Sequence, residues 1–436
     1  MKEPPHVAQS ETMVNRAGGR VADLRRLWAT HRHRALDLGH VMVGETGRLV
    51  FSLVYFVTLA RTLELGDFGI FASASAVGVV LARLSGLGFI SPLYRVATTR
   101  PTLIGAYTAG YATAVVLTLP LLAIATWAIH GLVYAGTVAL PVFALIVLGE
   151  ALLWRTLEAT ITVQHGLNRF STAAMLSMAG GATKALTALG FAFYGLSDLE
   201  DWAALNACAI GSVALLAVAF TWPRQRLRWR PRAWAGRARD ALGVSSAEAL
   251  FYVQAELDKV LVLALGGPAT AGLYAIVMRL ADLTAMPMRA MNIMLVQWIM
   301  RRPRGRLEAR STVAVEGGIA LTSGAALAAM ALTLHVLPAW FGDSIAEAAT
   351  VLALALAVPA FRNLLEYHTE LLYAHRAMAT RVALLALLSV LKAAMLALVV
   401  AGADDFAGLV VRLNVVFAAL WAGSALVTYR RLGSIE

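Results

Sequence analysis

Charged residues interrupt two long apolar stretches near the middle of the chain. The segment FYVQAELDKVLVLALGGPATAGLYAIVMRLADLTAMPMR, residues 251–289, contains six side chains that could bind charged groups: Glu256, Asp258, Lys259, Arg279, Asp282 and Arg289. The apolar residues around them are typical of membrane-spanning helices, and a charge inside hydrocarbon is expensive. We therefore expect these side chains to face a hydrated cavity in which cations and carboxylates could hold a polar substrate or an ion.

Three arginines lie toward the same end of their apolar stretches, the end that the loop charges assign to the cytoplasm. They are Arg48, Arg83 and Arg289. The planar arginine fork matches the oxygens of a diphosphate better than the point charge of lysine does, so the three predict a loading site for a multiply charged anion. Two alternatives stay open: Arg83 and Arg289 could extend to lipid headgroups, and Arg48 could pair with Glu45 on its own helix.

Further cations continue this path into the membrane. Arg279 and Asp282 are three residues apart, and the helical rise of about 1.5 Å per residue places them near the midplane. Lys184 and Lys392 lie in two other apolar stretches, with Glu316 as their expected counter-charge. The candidate residues for the substrate path are Arg48, Arg83, Arg279, Arg289, Lys184 and Lys392.

Three carboxylates are candidates for coupling transport to an ion gradient: Glu256, Asp258 and Asp282. Each could take up Na⁺ or H⁺. The alternative for Glu256 is that Lys259, three residues further along the helix, neutralises it. The sequence predicts no metal site and no cofactor, because the histidines lack companion ligands and no phosphate-binding loop or dinucleotide motif occurs.

These residues belong to an integral membrane protein. Hydrophobic residues make up 59% of the 436-residue chain and charged residues only 14%, and the mean hydropathy is +0.70. A spanning helix needs about 20 apolar residues. The sequence predicts an all-α protein with twelve spans: 41–60, 68–90, 104–127, 132–154, 171–194, 203–222, 243–265, 271–299, 312–337, 343–361, 381–401 and 406–428.

Basic residues are concentrated on one side of these spans. Arginine-rich segments at 223–242 and 301–310, together with the basic N-terminal segment, fall on that side, whereas the opposite loops are mostly acidic. The positive-inside rule then predicts a multi-pass protein of the bacterial cytoplasmic (inner) membrane with both termini in the cytoplasm. The net charge of +11 needs no nucleic-acid partner, since basic loops beside a membrane account for it.

The spans also suggest an internal repeat. A shift of 203 residues aligns Gly69, Phe71 and Ala72 with Gly272, Tyr274 and Ala275, in both cases just after an outer turn. Equal positions in two six-helix halves predict a parallel repeat about an axis along the membrane normal. The predicted parts are a basic leader (1–40), an N-terminal lobe (41–222), an arginine-rich linker (223–242), a C-terminal lobe (243–428) and a tail (429–436).

Two segments resemble a known family. LVYFVTLARTLELGDFGIFASASAVGVVLARLSGLGF, from residue 53, and ELDKVLVLALGGPATAGLYAIVMRLADL, from residue 256, are similar to the polysaccharide transporters of the multidrug/oligosaccharidyl-lipid/polysaccharide (MOP) flippase superfamily, which include O-antigen flippases. Asp258, Gly272, Tyr274 and Arg279 match the mid-chain pattern of that family. The basic leader departs from its usual short N-terminus.

The resemblance implies a flippase that moves a polyprenyl-diphosphate-linked oligosaccharide to the outer leaflet by alternating access. The implied partners are this lipid-linked glycan, membrane lipids and other proteins of glycan assembly. Three alternatives stay open: a membrane-embedded glycosyltransferase or polymerase, a drug or metabolite exporter of the same fold, and a scaffold without transport. The enzyme alternative is disfavoured because the outer loops are too short to carry a catalytic site, so we expect a protein that is not an enzyme.

Overall fold

The apolar stretches form helices, because inside a bilayer each backbone N–H and C=O must be bonded within its own segment. The computed structural model describes residues 39, 43–44, 46–285, 288, 291–292, 295, 299–300, 309–336 and 343–433. Helices overlap every one of the twelve predicted spans, and no strand occurs among the described residues. The prediction of an all-α membrane protein is confirmed.

The first half of the chain contains eight helices. They are α1 (46–62), α2 (Leu65–Leu84), α3 (Ile90–Thr99), α4 (Ile104–Ile129), α5 (Leu140–Leu148), α6 (Arg155–Gly166), α7 (Phe170–Phe193) and α8 (Leu199–Thr221). A π-helical turn at Gly149–Trp154 joins α5 to α6 without a break. Pro120 lies inside α4 and does not end it, so the prediction that it interrupts the third span is wrong.

The second half contains the remaining helices of the described chain. They are α9 (Pro231–Ala235), α10 (Ala238–Leu283), α11 (Ala309–Val336), α12 (Asp343–Leu352), α13 (Val358–Ala374), α14 (Met378–Ala401) and α15 (Phe406–Gly433). Within α10, Gly267 has a φ of 80° and breaks the helix between the predicted seventh and eighth spans. Segments Ser344–Ala355 and Val358–Ala374 meet at a bend of 68°, with Pro359 in the first turn of α13.

Much of the apolar surface faces outward. Eight helices of the described residues are long and apolar enough to span a membrane, or nine if the bent pair around Pro359 is one span. On α4, Leu117 is 69% exposed and Trp127 is 68% exposed. Soluble proteins do not expose contiguous apolar surface on this scale, so the chain is a multi-pass membrane protein.

The two halves meet most closely where α2 crosses α10, the most extensive helix contact of the described residues. A Cβ atom at Gly69 would lie 2.3 Å from the carbonyl oxygen of Pro268, and one at Gly272 would lie 2.2 Å from that of Leu65. Only glycine permits so close an approach of two backbones. The shift of 203 residues relates both pairs, as a two-fold axis through the crossing requires. The residue limits of the lobes stay a prediction.

Aromatic packing fixes α1 beside this crossing. Trp202 of α8 is fully buried, and its ring lies 5.9 Å from that of Tyr55 on α1 and 6.0 Å from that of Phe71 on α2. Buried aromatic side chains of this size contribute strongly to helix packing. They place the polar face of α1 toward the space between the two halves.

Candidate substrate cavity

A cavity of roughly 370 Å³ lies between the two halves, bounded by α1, α2, α7, α10 and the π-helical turn. Its ionisable lining residues are Arg48, Glu150, Lys184, Glu256, Lys259 and Arg279, beside the phenol of Tyr55. Four cations against two carboxylates leave an excess of two positive charges. We call this space the central cavity.

The π-helical turn positions one of the two carboxylates. It widens the helix at Gly149–Trp154 and directs Glu150 toward α7, where the Lys184 ammonium binds its carboxylate at 2.7 Å. The same ammonium lies 4.1 Å from the centre of the Trp154 ring, a cation–π distance. Such π-helical turns occur frequently at functional sites.

The second half supplies the opposite wall. Lys259 forms an ion pair with Glu256, one turn earlier on α10, so the neutralising alternative for Glu256 is the one that the structure contains. Across the cavity, the Arg279 guanidinium donates a hydrogen bond to the hydroxyl of Ser52 on α1. This bond joins the two halves through groups that a polar ligand could also bind.

A second cavity of roughly 470 Å³ adjoins the first, and Arg48 and Trp154 line both. Its charged groups bind one another: Arg83 makes two hydrogen bonds to Glu158, at 3.1 and 3.3 Å, and Arg155 donates to the same carboxylate at 2.9 Å. Arg155 also lies 3.4 Å from Glu248 of α10. This vestibule is therefore held together by ion pairs between the two halves.

The predicted substrate residues separate into groups. Arg48, Lys184 and Arg279 line the central cavity, and Arg83 lines the vestibule. Lys392 is 2% exposed and lies away from both, and Arg289 lies outside the described residues. Glu45, the sequence-based partner of Arg48, is also outside them.

Lys392 instead belongs to an ion pair inside the second half. Its ammonium is 2.8 Å from Asp258, and it donates to the backbone carbonyl of Gln254 at 2.7 Å. Tyr274 donates to the other face of the pair, at 2.8 Å from the Asp258 carboxylate. Because Asp258 is 1% exposed, Lys392 is needed to neutralise it and is not available to a substrate in the central cavity.

Two sequence-based pairings are wrong. Asp282 does not pair with Arg279, because Arg362 of α13 lies 2.7 Å from its carboxylate. Glu316 is not the counter-charge of the two lysines; its carboxylate is 2.8 Å from a ring nitrogen of His368. Both partners come from α13, which sequence spacing could not bring beside these carboxylates. The three candidate coupling acids thus each have a cationic partner in the protein.

Apolar clefts flank the central cavity on two sides. One lies between α2 and α10 and shares Ala76 and Glu256 with the cavity. The other lies between α1, α10, α11 and α12, and shares Phe56 with it. Apart from Glu256 and Thr333 at their edges, aliphatic and aromatic residues line both clefts. A molecule with a polar head and an apolar chain could therefore occupy the cavity and a cleft together.

Sequence reasoning missed Glu150, Glu158 and Arg362. Glu150 lies in an apolar stretch, so the rule that singled out Asp258 would also have found it. Glu158 and Arg362 lie near the predicted ends of spans, where a charge is ordinary. Their importance comes from their contacts with Arg83 and Asp282, which only the fold brings together.

The arrangement of helices is similar to solved transporters. An inward-facing multidrug resistance transporter of the MATE family, in the MOP superfamily, aligns over 90% of this chain and 98% of its own, with a TM-score of 0.65 and 11% identity. The chain has the MOP transporter fold. Its outward-facing counterpart aligns over 91% and 94%, with a TM-score of 0.52 and 12% identity.

Another solved neighbour differs in its pocket. A MOP superfamily transporter from Pyrococcus furiosus, described as having a binding pocket of reverse polarity, aligns over 91% of this chain and 94% of its own, with a TM-score of 0.59 and 13% identity. The sequence matches no protein-family model and no curated protein. At these identities the likeness establishes the MOP fold and not the substrate.

Proposed function

We propose that this protein is a MOP-type transporter that flips a lipid-linked oligosaccharide, carried on a polyprenyl diphosphate, from the inner to the outer leaflet by alternating access. The observation that carries the proposal is the central cavity, in which Arg48, Lys184, Lys259 and Arg279 outnumber two carboxylates. A diphosphate is multiply anionic, and charge-assisted hydrogen bonds from arginine and lysine are the ordinary means of binding it.

The division of polar and apolar surface supports a lipid-linked substrate. The diphosphate and first sugars would occupy the central cavity, where Ser52, Tyr55 and Ser75 add hydroxyl groups. The polyprenyl chain would stay in one of the two apolar clefts, in contact with lipid. A soluble anion would need no such cleft beside its site.

Alternating access is supported by the contrast between the ends of the α2–α10 contact. At one end the backbones touch at Gly69 and Gly272, which leaves no passage. At the other end the vestibule separates the halves, and ion pairs such as Arg155–Glu248 cross it. The greater similarity to the inward-facing than to the outward-facing neighbour agrees with a state open toward the vestibule.

A drug exporter is the second candidate, because the neighbours in fold include multidrug transporters. A cationic drug would need a carboxylate, and the cavity contains Glu150 and Glu256. Each of these is already bound by a lysine, Lys184 and Lys259 respectively. The excess positive charge therefore favours the anionic substrate.

The experiment is a flipping assay with purified protein in lipid vesicles. A fluorescent polyprenyl-diphosphate oligosaccharide is added, and the fraction that becomes protected from a membrane-impermeant quencher is followed in time. We expect Arg279→Ala and Lys184→Ala to slow this movement at least tenfold. The control is Arg412→Ala, since Arg412 is exposed and donates only to the carbonyl of Gly402 within the described contacts.

Two results would overturn the proposal. One is a parent protein that moves a cationic dye but not the diphosphate lipid, which would select the drug exporter. The other is equal flipping by the parent and by both cavity variants, which would remove the cavity from the path.

A further inference from the structure

A buried polar cluster in the second half takes no part in the proposed substrate path. It consists of Glu316 on α11, His368 on α13, and Ser424 and Tyr429 on α15. His368 and Ser424 are fully buried, whereas the Glu316 side chain is 19% exposed. Polar groups are rarely placed inside a membrane protein without a function, and this cluster joins three helices.

The hydrogen-bond geometry allows the cluster to hold either of two proton counts. His368 Nδ1 is 2.7 Å from Ser424 Oγ, and Nε2 is 2.8 Å from the Glu316 carboxylate. Ser424 Oγ is also 2.8 Å from the backbone carbonyl of Trp421. One hydroxyl hydrogen cannot serve both neighbours of Ser424, so its direction decides which nitrogens of the imidazole carry hydrogen.

In the first state the hydroxyl of Ser424 donates to Nδ1, and Nε2–H donates to the ionised Glu316. In the second state one more proton is bound at the Nδ1 lone pair, and Nδ1–H donates to Ser424. The hydroxyl hydrogen then turns to the Trp421 carbonyl, while Nε2–H still donates to Glu316. No other bond forms or breaks, and each state has all its hydrogen bonds.

We propose that Glu316, His368, Ser424 and Tyr429 form a reversible binding site for one proton that couples a proton gradient to transport. The proton-free cluster has one net negative charge and the proton-bound cluster none. Burying a net charge in the membrane interior is expensive, so the two states favour different degrees of hydration around α11, α13 and α15. The partly exposed Glu316 is the member that water can reach.

The groups that face this cluster do not remove its freedom to change charge. Tyr429 donates a hydrogen bond to Glu316, and the Tyr429 ring lies 5.5 Å from that of His368. Tyr367 of α13 lies 5.7 Å from His368 by ring centres. All three residues can bind the cluster without supplying a competing cation.

The charged groups on neighbouring helices are bound elsewhere. From α14, Arg381 reaches α13 and binds Glu370 at 2.7 Å. From α10, Asp282 binds Arg362, which lies on α13 almost two turns before His368. The candidate coupling acids of α10 are thus occupied by protein cations, which leaves the Glu316–His368 pair as a separate place for the coupling proton.

α13 also connects the cluster with the central cavity. Arg362 and Asn363 of α13 contact Asp282 and Thr284 of α10, at 2.7 and 3.4 Å. Arg279, which lines the cavity, is one turn before Asp282 on α10. A change in the packing of α13 would therefore reach the substrate site through two polar contacts.

The proton site is tested first without substrate. Purified protein labelled at its histidines with ¹⁵N is studied by NMR in nanodiscs, and the His368 signal is assigned by its loss in His368→Asn. We expect His368 to change between the neutral and the doubly protonated ring within about pH 5 to 8. In Glu316→Gln it should stay neutral over this range, and Glu316→Asp should restore the change.

The matched control is His375→Asn, one residue beyond the end of α13. His375 Nδ1 contacts the carbonyl of Leu371, outside the cluster, so the substitution should leave the His368 titration unchanged. A His368 ring that keeps one proton count at every pH in the parent would overturn the proton site, as would a titration unaffected by Glu316→Gln.

Coupling is tested in the vesicle assay and depends on the proposed transport function. We expect a proton gradient to accelerate flipping by the parent at least threefold, and to have no effect in Glu316→Gln or His368→Asn. Flipping that ignores the gradient in the parent would overturn the coupling. If the parent flips no diphosphate lipid, the transport proposal fails, while the NMR titration still decides whether the proton site exists.

Discussion

The charges of the central cavity and those of the second half are alike in type but differ in their surroundings. Lys184 binds Glu150 beside an open space of roughly 370 Å³, and the Glu150 and Lys184 side chains are 7% and 15% exposed. Lys392 binds Asp258 with no cavity beside it, and the two side chains are 2% and 1% exposed. A charge in a membrane span thus indicates function only when a ligand can reach it.

The comparison has a consequence for energetics. An ion pair sealed from water must be complete, because loss of one partner leaves the other buried and uncompensated. A pair beside a cavity can exchange its partner for water or for substrate. Substitutions in the second half should therefore reduce stability, whereas substitutions in the cavity should reduce transport, and the following variants are ordered by their expected effect on stability.

Lys392→Met should have the largest effect on stability. Asp258 would lose its cation in an apolar interior, at a cost of about 3–5 kcal/mol. Unfolding of the purified protein in mixed micelles, followed by circular dichroism, measures the difference. The double variant Lys392→Met with Asp258→Asn should recover most of the loss, since Tyr274 can still donate to the amide oxygen. A single variant as stable as the parent would contradict the sealed-pair interpretation.

Arg362→Gln should have the next largest effect. Its partner Asp282 is 19% exposed, so water could replace part of the lost interaction. We expect a loss of about 1–3 kcal/mol, the usual range when a charged hydrogen-bond partner is removed. The same unfolding measurement applies, with Arg381→Gln as the control, since Arg381 also binds a carboxylate from α13 but nearer the helix end. Equal losses in both variants would show that position along α13 is unimportant.

Lys184→Met matches Lys392→Met in chemistry but lies beside the central cavity. Water in the cavity can solvate Glu150, so the expected loss of stability is below about 2 kcal/mol. Flipping should fall at least tenfold, because the variant removes one of four cations and releases a carboxylate into the substrate path. A loss of stability equal to that of Lys392→Met would erase the distinction between the two regions.

Arg279→Ala should have the smallest effect on stability. Its guanidinium lines the cavity and its hydrogen bond is to the neutral hydroxyl of Ser52. We expect a change within about 0.5 kcal/mol, as for substitutions outside a packed core, together with a loss of flipping of at least tenfold. Thermal melting and flipping measured on the same preparation would separate the two effects. Unfolded Arg279→Ala protein would place this arginine among the structural charges.

Much of the fold could be predicted from the sequence, because long apolar stretches in a membrane have few alternatives to helices. The repeat offset of 203 residues, taken from a short match around Gly69 and Gly272, is also the relation between the two backbone contacts at the α2–α10 crossing. The bend before α13 moved the end of the predicted tenth span, because Pro359 begins a new helix there and does not end the old one.

The site could be predicted only in part. Depth and charge identified Arg48, Lys184 and Arg279, which the structure brings to one cavity. The partners of the other charges depend on which helices are neighbours, and no spacing along one helix could show that α13 supplies Arg362 to Asp282 or His368 to Glu316. Periodicity gives the face of a helix, whereas the tertiary fold gives the group opposite it.

Equilibrium binding tests the central claim most directly: that the central cavity is an anion site for a lipid diphosphate. The affinity of undecaprenyl diphosphate is measured for the parent, Arg279→Ala and Arg412→Ala in the same detergent. A binding loss of at least tenfold, about 1.4 kcal/mol, is predicted for Arg279→Ala alone. Equal affinities for all three proteins would contradict the claim.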